Sequence, residues 1–114
     1  MKVIHKKTNY VLAKDLKVAR TIGERTLGLM FIKEMKGFDA LLIDPCNSVH
    51  NFFVRFPIDL VFLSKDMKIV KLIKCFKPWR MTGIYFKAKK VLELPNGTIT
   101  DDMQVGDEVE VQYV

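Results

Sequence analysis

Between His50 and Leu63 the chain runs HNFFVRFPIDLVFL, its greasiest segment, with Arg55 and Asp59 embedded in it and Pro57 at its middle. A run this apolar has to be covered on folding, and a charge buried with it is costly unless it is partnered. Arg55 and Asp59 therefore face water, pair with one another, or line a site. Proline donates nothing to a ladder and is confined to edges, ends and bulges of sheets, so the run reads as one long strand or as two strands bent at Pro57. Alternation from His50 places Phe52, Val54 and Phe56 on one face and Asn51, Phe53 and Arg55 on the other.

Other segments carry the same period. Val3 to Leu12 and Leu16 to Thr21 read as strands joined by the polar Ala13-Lys14-Asp15. GFDALLID reads as a strand entered by Gly37 and stopped by Pro45. In MKIVKLIKCFK the lysines recur every third residue and would drift around a helix, which favours a strand with Val70, Leu72 and Phe76 on one side. KKVLELP is a strand closed by Pro95, followed by the turn Asn96-Gly97-Thr98. Gly106 and Asp107 turn the chain into a last strand, with Val109, Val111 and Tyr113 on one side and Glu108, Glu110 and Gln112 on the other.

Only TIGERTLGLMF changes period. Leu27, Met30 and Phe31 fall at i, i+3 and i+4, and Glu24 lies where a negative charge suits a helix dipole. The expectation is a mainly β (α+β) fold, a small, mostly antiparallel β-barrel or sandwich-like domain with one or two short helices, and residues 1–114 forming a single domain. Its 114 residues suffice for one hydrophobic core.

Nineteen Lys and Arg against thirteen Asp and Glu give a net charge of +6. That balance suits anionic partners and equally keeps a small domain soluble. Clusters such as Lys87-Ala88-Lys89-Lys90 are too short for a nucleic-acid tail. No apolar run reaches membrane-spanning length, and the N-terminal stretch is interrupted by charge every few residues, unlike a secretory signal. The expected location is the cytoplasm, with Cys46 and Cys75 reduced.

Phosphate-binding glycine loops, zinc-finger spacings, nucleophile elbows and HExxH pairs are all lacking. His50, Arg55, Asp59, Trp79 and Arg80 remain as candidate binding residues, because a histidine, a carboxylate and an arginine suit an anionic ligand, while Trp79 beside Arg80 suits stacking. Against this stands a structural clasp, in which Asp59 pairs with Arg55 or Arg80. Cys46, His50 and Cys75 lack a fourth zinc ligand at a recurrent spacing, so buried thiols acting as small hydrophobes are the better reading. No metal and no cofactor is expected.

GERTLGLM, GFDALLI, HNFFVRFPIDLVFL, PWR, VLELPNGT and VGDEVEV, in that order, resemble the prokaryotic family known as domain of unknown function 192. The resemblance covers about residues 23 to 111. It implies one compact β-rich domain and no established activity. Positions matching its signature include Arg25, Gly28, Met30, Phe53, Pro57, Glu93, Gly97, Gly106 and Asp107. The expected function is a small cytoplasmic binding module for a polar or anionic ligand or a protein partner. The alternatives are a hydrolase using His50, Asp59 and Arg80, and non-specific nucleic-acid binding by the Lys-rich surface, the less favoured of the two.

Overall fold

In a computed structural model, which describes residues 1–113, the chain forms β1 (Lys2–His5), β2 (Tyr10–Ala13), β3 (Leu16–Ala19), α1 (Ile22–Leu27), β4 (Ala40–Ile43), β5 (Ile58–Leu63), β6 (Ile69–Phe76), β7 (Lys90–Pro95) and β8 (Val109–Gln112). Two sheets result, one ordered β2-β1-β8 and the other β3-β4-β7-β5-β6. All pairs are antiparallel except β3 with β4. The sheets do not close on each other, so the arrangement is sandwich-like and the barrel alternative falls.

β5 explains the greasy run. Each of its six residues is buried because both faces of the large sheet are covered. Val61 and Leu63 point into a core shared with β1, β2 and β8, whereas Ile58, Leu60 and Phe62 point into a second core roofed by the loops around Leu29, Val49, Val54 and Ala88. The molecule is thus layered: small sheet, large sheet, then a roof of loops with α1 beside it.

Several expectations are corrected. Val3 to Leu12 is a hairpin, its turn passing through Asn9 at φ 60°. The helix is shorter than its apolar spacing suggested: Thr21 and Glu24 cap its start reciprocally, but Gly28 at φ 48° ends it, so Met30 and Phe31 lie beyond. His50 to Phe56 is not a strand. Its alternation is broken at Phe53, at φ 62°, and only an isolated bridge joins His50 to Met81. In β6, register shifts against β5 place Leu72 with one core and Val70, Ile73 and Phe76 with the other, so Val70, Leu72 and Phe76 do not share a side.

Candidate functional site

Two loops of the roof, one through residues 48–57 and one through 77–83, are stitched together at the fully buried Asn51 and by the hydrogen bonds between Val49 and Thr82 beside it. The Asn51 backbone N–H donates to the Arg80 carbonyl at 2.7 Å, and its carbonyl accepts from the Trp79 N–H at 2.9 Å. Its side-chain amide donates to the Phe76 carbonyl at 3.0 Å. Phe31, arriving from the segment after α1, donates its N–H to the Phe53 carbonyl at 2.9 Å. Three chain segments therefore meet at fixed spacing.

They carry a row of rings. Phe31 stacks on Phe53 at 5.1 Å between centroids, Phe53 meets Trp79 edge-on at 4.8 Å, and Trp79 lies 6.0 Å from Phe52, which in turn lies 5.1 Å from the His50 ring. Phe31, Phe53 and Trp79 are 59%, 47% and 61% exposed. All three have left-handed backbones, at φ 68°, 62° and 63°. For a bulky side chain that conformation is an outlier, costing on the order of 1–3 kcal/mol per residue. Rings this exposed recover little of that cost by burial. A groove of about 520 Å³ runs along the row, lined by Phe31, Phe53, Val54, Arg55, Pro78 and Trp79.

Of the residues expected at a site, His50, Arg55, Trp79 and Arg80 lie on these two loops and are all exposed. Asp59 does not join them. It is 1% exposed, and its oxygens accept from the backbone N–H groups of Cys75 at 2.9 Å, Gly97 at 3.1 Å and Ile99 at 2.9 Å. It is a clasp, as one reading anticipated, but one made to backbone and not to Arg55 or Arg80. Among the described residues no hydrogen bond links Asp59 to His50. Nor do Cys46, His50 and Cys75 assemble as a metal-binding group there.

Beneath the roof lies a second feature. Glu93 stands on central strand β7 between Leu41 of β4 and Leu60 of β5, with its side chain on the roofed face. It is 4% exposed. Burial pushes its pKa up to about 8. A cavity of about 50 Å³ adjoins it, lined also by Arg25, Cys46, Ser48 and His50. Arg25 donates from Nη1 to the Pro45 carbonyl at 3.2 Å, while its buried Nε has no partner. The Cys46 thiol donates to the Ser48 carbonyl at 3.0 Å, and burial raises its pKa, so it stays a neutral thiol.

Residues 3–111 match the profile of the family described as Uncharacterized ACR, domain of unknown function 192. The chain belongs to this family. The UPF0127 protein of Pyrococcus furiosus is 33% identical over 102 residues, covering 84% of this chain and 85% of the relative; that of Pyrococcus horikoshii is 28% identical over 100 residues, covering 83% and 84%. A solved structure from Sinorhizobium meliloti, described as a candidate transcription regulator, superposes with a TM-score of 0.77 at 22% identity, covering 96% of this chain and 89% of that one. A protein of unknown function from Novosphingobium aromaticivorans gives 0.71 at 18%, covering 97% and 93%. At such identities the two structures speak for the fold alone. The family is of unknown function and passes on no catalytic role.

Sequence reasoning placed Arg25, Phe53 and Glu93 among signature positions without assigning them to a site. For Glu93 the signal is a carboxylate inside VLELP, a strand otherwise apolar on both sides. The glycines of the signature serve turns: Gly97 at φ 91° and Gly106 at φ 97° occupy backbone that side chains resist. Asp107 accepts from buried His5 Nε2 at 2.7 Å, which, with the Gln104 N–H, holds its carboxyl below the usual range.

Proposed function

We propose that this protein is a binding module that takes an anionic ligand with a planar ring on the row formed by Phe31, Phe53 and Trp79. The observation that carries this reading is the left-handed backbone shared by all three exposed rings. Strain of this kind persists where the surrounding structure enforces it, and it clusters at ligand clamps. Arg55 lines the same groove, and Arg80 follows Trp79 in the chain, so cations flank a stacking surface. Binding is favoured over hydrolysis because Asp59 is engaged by backbone and cannot orient His50 from there. Among the described residues no helix is long and apolar enough to cross a membrane.

Trp79 is the sole tryptophan, so its fluorescence reports on the row directly. Titration with adenosine 5′-monophosphate, planar and anionic, is expected to quench it saturably, and Phe53→Ala to abolish the effect. No response to this probe, with an equally silent single-stranded oligonucleotide, would overturn the proposal. A response to the oligonucleotide alone would replace it with the nucleic-acid reading.

A further inference from the structure

The cavity beneath the roof shares Val54 with the ring groove and His50 with the end of the aromatic row, but its chemistry is different. One polar group that folding ordinarily satisfies is left open beside it, the Arg25 Nε–H, buried and without a partner, and the Glu93 side chain, 4% exposed, also lines it. Buried polar atoms are paired in the great majority of cases, and each exception calls for an explanation. The two do not satisfy one another. Among the described residues no ion pair joins Arg25 to Glu93, and burial alone accounts for the raised Glu93 pKa. A space therefore separates a cation's unused donor from a carboxylic acid. The remaining titratable groups facing it are Cys46, a neutral thiol whose hydrogen bond goes to the Ser48 carbonyl, and His50 at its rim.

We infer that this cavity is a binding site for the head group of a small carboxylate, held between the Arg25 Nε–H and the Glu93 carboxyl. Arg25 supplies a charge-assisted donor, and the neutral Glu93 acid donates its O–H to the ligand's oxygen, a strong type of hydrogen bond. The volume, about 50 Å³, is well above the roughly 10–15 Å³ that one water requires and accepts a group of about three or four heavy atoms. Leu29, Ile43, Val49 and Val54 line it too, which suits an aliphatic stem and excludes competing water. An open groove of about 450 Å³ adjoins it, sharing Arg25, Thr26, Ile43, Cys46 and Ser48 and lined also by Lys89. The groove gives the rest of such a ligand a place to lie.

Acetate serves as the probe and acetamide as its uncharged counterpart, each titrated into the full chain and followed by amide NMR. Acetate is expected to shift the amides of residues 25–30 and 46–54 saturably at pH 6.5, with acetamide at least tenfold weaker. Between pH 6.5 and 9.5 acetate affinity falls at least tenfold, as Glu93 loses the proton it donates. Glu93→Gln, which keeps a donor, retains acetate binding and removes that pH dependence. Arg25→Lys keeps the charge but lacks Nε, and weakens acetate at least tenfold. Non-saturating shifts, equal response to acetamide, or unchanged pH dependence in Glu93→Gln would overturn the inference. The wild-type pH series and Glu93→Gln are decisive by themselves, so poor folding of Arg25→Lys would not affect the test. Silence of the Phe31, Phe53 and Trp79 row to planar anions bears on the other site only.

Discussion

Asp59 Oδ2 accepts the backbone N–H of Ile99 at 2.9 Å, and so fastens strand β5 to the loop that follows β7. The same carboxylate accepts from Gly97 and Cys75, so three N–H groups depend on it. Leaving a buried donor unmade costs about 1–3 kcal/mol. Asp59→Ala is therefore expected to lower the unfolding free energy by roughly 3 kcal/mol or more, read from urea denaturation. A loss below about 1 kcal/mol would show that water replaces the carboxylate.

Phe53 tests whether the ring row exists for stability or for binding. Phe53→Gly removes two ring contacts, each worth roughly 0.5–1.5 kcal/mol, and relieves a left-handed backbone costing a similar amount. Stability should change by less than about 1 kcal/mol, while Trp79 quenching by a planar anion disappears. A large loss of stability with binding retained would make the row structural.

Glu93 makes stability depend on pH. Its folded pKa of about 8 exceeds the ordinary 4.5, so between those values the native state holds a proton that the unfolded chain has released. Stability then declines as pH rises from about 4.5 to about 8, by on the order of 5 kcal/mol in all, at about 1.4 kcal/mol per pH unit. Above pH 8 this group contributes no further slope. Chemical denaturation across pH 5 to 9 should show the decline in the wild type and a flatter profile in Glu93→Gln. A profile that rises over this interval, or one identical in the variant, would refute it.

The two thiols should differ in reactivity. Cys75 is exposed, whereas Cys46 is partly buried, hydrogen-bonded and raised in pKa. At pH 7.5 an aromatic disulfide reagent is expected to modify one thiol rapidly and the other at least tenfold more slowly, with Cys75→Ser removing the fast phase. Equal rates would contradict the burial of Cys46.

Strands β5 and β7 were legible because their apolar content exceeds what one buried face explains. The stretch from His50 to Phe56 was not, since its alternation imitates a strand while its backbone hydrogen bonds go to the 76–82 segment. Nothing in residue type announces that Phe31, Phe53 and Trp79 take positive φ, a conformation that Asn9, Met67 and Cys75 share among the non-glycine residues. Asp59 was recognisable as anomalous but not its partners, because three backbone donors from distant loops have no sequence signature. Glu93 read as an ordinary strand residue. Its meaning depends on which face the roof covers, a tertiary fact. Likewise, the helix start was visible at Glu24, but its end depended on the left-handed turn at Gly28.

The most direct measurement follows the Trp79 indole N–H by NMR while adenosine 5′-monophosphate, adenosine and ribose 5-phosphate are titrated separately. A ring row flanked by Arg55 and Arg80 predicts saturable movement with the nucleotide, with adenosine and ribose 5-phosphate each at least tenfold weaker, since neither combines the ring with the charge. An indole signal unmoved by all three, or moved equally by ribose 5-phosphate, would contradict binding of planar anions on the row.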